Sequence, residues 1–555
     1  MAPFHPSPLW VYHQRTKHRF EAFAEGPGQL DWDAQPAAFR HYVGAPVFEL
    51  PLAGAGVTCA FDQLGQPGRP AAAPDIVGLG ALLELGLGIS AWKSLGQHRW
   101  ALRCNPSSGN LHPVEAYVLS QGVAGVPAGL LHYDPESHAL EGRALCEPAG
   151  SPWLAVGLSS VMWREAWKYG ERAFRYCQLD VGHAMAALAY AAALLGWELV
   201  PLAVPGAVLA RLLGTDREQD FVPSRVAFTE AEEPELLLAV RAPGLGPVPW
   251  DSLAAVWDAA RWHGVPSCID PAPGYRWPVV GQAAEASRVP RVSAGPVAPP
   301  EPLPLDLAAL GHPLLPPHDT PLDAAALIRQ RRSGQRFDPS HTLGKKAFFR
   351  MLDAMLPRPC APFTAQEAPP ALHLLLWVLR VEGLPCGLYL LARTPQAAQA
   401  LPAVLGQGDA CFAQPRPVAG FDPDCPSHLH LLQLAETDRK ALQRLARSLS
   451  CHQDIAATGA FSLGMLGDVA ATGTEGAGYR RLLREAGLLG QVLYLEAEAA
   501  GVRGTGIGCF FDDAVHQTFG LTDGRWQSVY HFTVGLPVVD DRIETTPPYP
   551  TRPAP

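Results

Sequence analysis

FRYCQLDVGHAMAALAYAAALLG, residues 174–196, is apolar on nearly every face and long enough for six turns of helix, which predicts a helix buried at the centre of a core. A second stretch, YRRLLREAGLLGQVLYLEAEAAG at 479–501, repeats its landmarks. Phe174-Arg175, Gly182 and Gly196 return as Tyr479-Arg480, Gly487 and Gly501 at one constant offset. Another block keeps the same order: Val126-Pro-Ala-Gly-Leu130 returns as Leu384-Pro-Cys-Gly-Leu388, each after a strand-like run. Regular spacing of this kind marks an internal duplication. At 555 residues the chain also exceeds what one hydrophobic core usually serves, so two large domains are predicted.

Outward from the first copy, the aromatic and proline-rich residues 1–60 predict a short helix followed by an extended arm. Ile76, Leu79, Leu82, Leu83 and Leu87 stand at helical spacing and predict a helix over 75–95. Strands are predicted at 115–120 and 130–133, with a turn at 134–137 and a last strand of the first domain at 236–240. Thirteen prolines between 271 and 321 predict an extended connector. Thr320-Pro-Leu-Asp has the cap, proline and acid of a helix start, and that helix is expected to reach about Arg332. The expected organisation is a first domain at 1–265, a connector at 266–317 and a second domain at 318–555.

Composition narrows the function classes. The net charge of -10 and the lack of a Lys/Arg-rich run argue against nucleic acid or an anionic membrane as partner. The apolar run 184–197 is 14 residues, too short to span a bilayer. The opening Met-Ala-Pro-Phe-His-Pro lacks the features of a signal peptide, so a cytoplasmic protein is expected. Charged residues are only 17%, which predicts much buried surface, including between domains. Eleven scattered cysteines without a C-x-x-C pair predict neither a disulfide framework nor a thiolate metal site, and most are expected reduced and buried.

The chemistry-bearing stretch is Arg103-Cys-Asn-Pro-Ser-Ser-Gly-Asn-Leu-His-Pro113. Pro106 and Pro113 restrict its ends, Gly109 permits a close approach, and Ser107, Ser108 and Asn110 supply donors and acceptors beside the cation Arg103. Such a loop suits a polar ligand, although the same residues also make ordinary turns. Running on into Val114-Glu-Ala-Tyr117, it resembles the flavin-contacting loop of nitroreductase-like flavoproteins, in particular the SagB/ThcOx-type dehydrogenases. Two further stretches carry the resemblance. Arg331, Arg332 and Ser333 resemble the family's Arg-x-Ser-x-basic phosphate motif, except that Gln335 stands where the next basic residue would be and Arg336 is displaced by one. Gly506-Ile507-Gly508, after the second copy of the long helix, resembles the segment that donates to flavin N5.

The resemblance implies an α+β fold with two tandem nitroreductase-like, FMN-dependent domains that form an intramolecular pseudo-dimer, hence a monomer. It implies FMN bound by Arg103, Pro106, Ser107, Ser108, Asn110, Arg331, Arg332, Ser333, Gly506, Ile507 and Gly508, and no metal. A complementary site pairing Lys17, His18 and Arg19 with Arg358, Pro359 and Cys360 is expected to be empty or altered. Lys168 and Tyr169 match the Lys-Tyr pair that azoline dehydrogenases place near the flavin, where either can act as a base while hydride leaves the ring. The implied function is an FMN-dependent oxidoreductase that dehydrogenates a heterocycle in a small molecule or modified peptide, with oxygen as a possible electron acceptor. NAD(P)H-dependent nitro or quinone reduction and a flavin-free scaffold in a biosynthetic complex are the alternatives.

Overall fold

The computed structural model describes residues 7–550 apart from 67–68, 149, 290–305, 406–411, 413–414, 470–475 and 523. Two large mixed-length sheets are built on one plan. Across the first run Arg261–Trp262, Ala139–Leu145, Gly129–Asp134, Val114–Gln121, Trp153–Ser160, Glu233–Arg241 and Glu198–Leu202, with Val47–Glu49 added beside Ala139–Leu145. Across the second run Arg416–Pro417, His430–Glu436, Gly387–Ala392, Leu372–Val378, Phe461–Asp468, Trp526–Gly535 and Arg503–Ile507. Apart from the short edge strands Arg261–Trp262, Arg416–Pro417 and Val47–Glu49, the two sheets have the same strand order, and neighbours are antiparallel throughout. The repeated blocks of sequence therefore occupy equivalent places: 126–130 leads into Gly129–Asp134 and 384–388 into Gly387–Ala392.

Between the sheets lie the two long helices, Ala173–Leu194 and Ala477–Ala499, buried over most of their length. They cross where each has a glycine. A Cβ on Gly182 would fall 2.1 Å from the carbonyl oxygen of Arg484, and one on Gly487 would fall 2.0 Å from that of Leu179, so only glycine permits this approach. The duplicated glycines are thus the contact that brings the two backbones together.

The chain ends cross over as well. Glu544–Thr546 pairs with Ile89–Leu95, which pairs in turn with His98–Arg103. The Tyr549 hydroxyl accepts from the Ile89 amide and donates to the Pro135 carbonyl, fixing the end of the second half on the first. Near the start, Pro8–Arg15 is helical and its His13 pairs with Tyr479 and Gln527 across the molecule. Among the described residues no helix is long and apolar enough to cross a membrane.

Three expectations about the elements need correction. The helix of 75–95 is Ile76–Leu87 only, because Gly88 ends it and the β-branched and aromatic residues that follow form the strand Ile89–Leu95. The proline-rich connector is not wholly extended: Pro278 sits at the first position of a helix, Pro278–Ala286, where a missing N–H costs nothing. Residues 290–305 of the connector lie outside the described residues. The helix expected from Thr320 begins later, at Ala324–Gln330, with Asp323 accepting from the Ala326 amide as its cap. The cysteine reading also changes, since Cys451 and Cys509 are joined in a disulfide.

Candidate functional site

A cleft of about 660 Å³ opens between the two halves, within the roughly 300–1,000 Å³ usual for small-molecule sites. Three segments from distant parts of the chain meet there. The first is the 105–110 loop, which connects His98–Arg103 to Val114–Gln121. Its shape is held from within and from the long helix: Ser107 Oγ accepts from the His112 amide at 2.8 Å, and both the amide and hydroxyl of Ser108 donate to Asp180. Gly109 stands at φ 58°, with the Tyr169 hydroxyl and Lys168 Nζ so near that a Cβ would lie 2.5 Å and 2.9 Å from them.

The second segment is the end of Ala324–Gln330. Arg331 is buried; its Nη2 and Nε donate to the carbonyls of Arg103 and Cys104, its guanidinium lies 4.9 Å from the centre of the Tyr494 ring, and its Nη1 has no partner. Arg332 is tied to Ser90 and to the carbonyls of Arg329 and Arg331. Ser333 Oγ pairs with the Tyr494 hydroxyl, which also accepts from the Gly506 amide at 3.1 Å. Tyr494 thereby ties the second segment to the third, Gly506-Ile507-Gly508. This is the end of the edge strand Arg503–Ile507 rather than a free turn. A Cβ on Gly508 would fall 2.1 Å from the Tyr176 ring.

The electrostatics of the cleft are lopsided. Lys93, Arg331, Arg332 and Arg503 line one part of it. Burial lowers the Arg332 guanidinium to about 10, with Arg331 and Arg503 adding repulsion. Burial likewise lowers Arg331 and Lys93, again with neighbouring arginines opposing the charge. The facing acid Glu498 reaches Arg503 at 3.9 Å and is itself pushed up by burial. Four cations thus gather near Glu498, and one buried guanidinium N–H, Nη1 of Arg331, has no partner.

At the other end of the cleft the groups are acids and phenols. Burial raises Asp180 to about 7, and burial with the Asp180 charge raises Glu165 well above the carboxylate range. Burial lowers Lys168, with Glu165 opposing that shift, while burial and Glu165 keep the Tyr169 phenol protonated. His183 is lowered to about 3 by burial and by Arg331, so it is neutral where it pairs with the Tyr530 hydroxyl.

The structure thus brings Pro106, Ser107, Ser108, Asn110, Arg331, Arg332, Ser333, Gly506, Ile507, Gly508 and Tyr169 to one cleft. Lys168 reaches the loop beside Tyr169, although the two are sequence neighbours on the helix Met162–Tyr169. Arg103 also borders the cleft, but its guanidinium is buried over Phe39 and donates to the Val114 and Ala38 carbonyls, so it braces the loop. Lys17, His18 and Arg19 do not join Arg358 and Cys360 as expected. Lys17 and Arg19 pair with Asp513, the His18 amide donates to Asp512, and Arg358 pairs with Asp353. The position equivalent to the cleft in the other sheet, by strand order, is filled instead. Arg480 and Arg484 there bind Glu233, Glu235 and Glu367, leaving about 30 Å³.

Tyr176, Asp180, His183, Tyr494 and Tyr530 also line the cleft and were not singled out from sequence. The first four are polar residues set in long apolar helices, and that was the available signal.

Residues 427–536 match the nitroreductase family. A Methanocaldococcus jannaschii protein named "Putative nitroreductase MJ1384" is 33% identical over 92 residues, 14% of this chain and 46% of that protein, so the match spans about half the relative's length. The crystal structure of a "putative nitroreductase" from Anabaena variabilis superposes with a TM-score of 0.63 at 20% identity, covering 96% of this chain and all of the other. One chain of the E. coli microcin synthetase McbBCD complex, solved with truncated pro-MccB17, covers 45% of this chain at 17% identity and a TM-score of 0.28. Residues 427–536 thus carry a nitroreductase-family domain, and nearly the whole chain shares its fold with a nitroreductase-like structure.

Proposed function

We propose that this chain is an FMN-dependent oxidoreductase in which two tandem nitroreductase-like domains, 1–265 and 318–555, form an intramolecular pseudo-dimer with one flavin site. The observation that carries the reading is the cluster of four cations, Lys93, Arg331, Arg332 and Arg503, with Glu498 as their one nearby ion-pair partner among the described residues, at one end of a cleft of cofactor size. A dianionic phosphate there would receive the unpartnered Nη1 of Arg331, relieve the repulsion among the cations and accept from Ser333. Gly506 and Gly508 let the Tyr530 and Tyr176 phenols pack directly on the backbone, and a planar ring would lie in the cleft that these residues and the 106–110 loop line. Bound in this cleft, the flavin supplies the two-electron acceptor.

The sharpest version of the reading is a SagB/ThcOx-type dehydrogenase acting on a heterocycle in a small molecule or modified peptide. It is favoured over nitro or quinone reduction by the paired Lys168 and Tyr169 at Gly109. With its charged form disfavoured by burial, Lys168 is suited to take a proton from substrate, while the protonated Tyr169 is suited to orient or donate.

The test is the visible flavin spectrum and stoichiometry of purified protein, followed by the affinity of Arg331→Ala. One FMN per chain is expected. Loss of one charge-assisted contact, worth roughly 1.5–3 kcal/mol, should weaken binding by about ten- to a hundredfold. Absence of flavin under reconstitution, two flavins per chain, or unchanged affinity in the variant would each count against this assignment.

A further inference from the structure

Cys451 and Cys509 come from separate parts of the second half, 58 residues apart, and meet as a disulfide with Cα atoms 5.8 Å apart. Both residues line the same cleft as the cation cluster, and both are partly exposed. Cys509 directly follows Gly506-Ile507-Gly508, the segment that borders the cleft opposite the 106–110 loop. The other described cysteines are free thiols, including Cys104 and Cys177, fully buried and pushed up by burial. Among the described residues this is the one disulfide, and it opens on the cleft that holds the cation cluster.

The surrounding chain does not depend on that bond to stay in place. The Phe511 amide donates to the Leu449 carbonyl at 2.9 Å, and Gln453 Nε2 donates to the Cys509 carbonyl at 3.2 Å, so both segments are tied together on either side of the sulfurs. Phe510 and Phe511 are buried, with Phe510 stacked on His531. Such a frame keeps two thiols close after the bond opens, which is what reversible closure requires.

We propose that Cys451–Cys509 is a redox-active disulfide that exchanges two electrons with the cleft's cofactor; this rests on the flavin reading above. In the forward direction the Sγ–Sγ bond breaks and the sulfurs take up two electrons and two protons to become two thiols. The reduced flavin gives up the same two electrons and two protons and is left oxidised. The pair would give the protein a second two-electron store beside the flavin, and a route to thiol or disulfide partners that reach the cleft mouth.

The experiment is an anaerobic dithionite titration of the FMN-loaded protein, with alkylation and peptide mass analysis at each point. Wild type should consume about twice the electrons taken by Cys451→Ser and Cys509→Ser before the flavin band is fully bleached, and Cys451 and Cys509 should become alkylated as the extra electrons enter. In flavin-free wild type the same dithionite should leave the crosslink intact. Full bleaching with the crosslink still closed overturns the inference and leaves the flavin reading standing. Equal opening with and without flavin overturns it too, because the electrons then bypass the cofactor. Protein that holds no flavin, seen directly in its spectrum, removes the function reading and this inference together. Alkylation of wild type alone decides the matter if either serine variant fails to fold.

Discussion

Lys168 and Tyr169 are adjacent on a helix, where neighbours point about 100° apart, yet both side chains reach Gly109. Gly109 is the reason, since a residue with a Cβ would strike both. If they serve proton transfer, Lys168→Ala and Tyr169→Phe should retain FMN and slow its reduction by substrate by roughly 10² to 10⁴, the usual worth of a positioned proton-transfer group. The wild-type rate should rise with pH toward the lowered lysine value, and that rise should vanish in Lys168→Ala; stopped-flow reduction without oxygen reads both. Asp180 makes a separate prediction. Its folded value of about 7 lies above the ordinary 3.8, so the folded state holds a proton that the unfolded chain has already lost. Its contribution to stability is complete below the unfolded value and is lost as pH climbs through about 7. Urea unfolding across that window should show a stability slope that Asp180→Asn flattens; an unchanged slope would mean that Asp180 titrates normally.

The long helices are where the duplication becomes structure. Their glycine-to-glycine crossing means that Gly182→Ala and Gly487→Ala each force backbone apart and should destabilise by about 1–3 kcal/mol, read as a lower denaturation midpoint. Flavin affinity should fall with them, because Asp180, His183 and Tyr494 lie on these helices and line the cleft. A variant with wild-type midpoint would show that the crossing is loose. At this scale periodicity identified both helices, whereas the end of Ile76–Leu87 was missed. Apolar residues continue past Gly88, and only hydrogen bonding to His98–Arg103 tells that they have become a strand.

Across the whole molecule the halves share buried charge as well as apolar surface. Arg480 and Arg484, on the second long helix, are buried against Glu233 and Glu235 of the first sheet. Arg172 and Arg175, on the first half, meet Asp512 of the second, where their charges outweigh burial and hold the carboxyl well below its usual range. Separation would return these ions to water but would expose the facing surfaces of Ala173–Leu194 and Ala477–Ala499, each now buried over most of its length. Residues 1–265 and 318–555 expressed apart should therefore be insoluble or unfolded, and co-expression should restore them. Two fragments that are each soluble, monomeric and cooperatively folded would contradict the pseudo-dimer.

The sequence by itself determined the pair of central helices and their glycines, through periodicity and spacing, whereas the mixed fold and the three segments of the cleft were legible through the resemblance of their motifs to a known family. Only the tertiary structure decided which residues share a site. Arg103 carries the right charge in the right loop, but packing turns its guanidinium onto Phe39 and leaves Arg331 to face the cleft. The Lys17–Arg19 cluster looked like half of a second site until Asp512 and Asp513, nearly five hundred residues later, were found against it. The equivalent of the cleft is closed by arginines and glutamates that no local pattern relates. The Cys451–Cys509 pair was equally hidden, since contact between residues 58 apart depends on the path of the chain between them and not on their spacing. Local chemistry fixes elements and their candidate residues, while the partner of a long side chain depends on the packing of the whole.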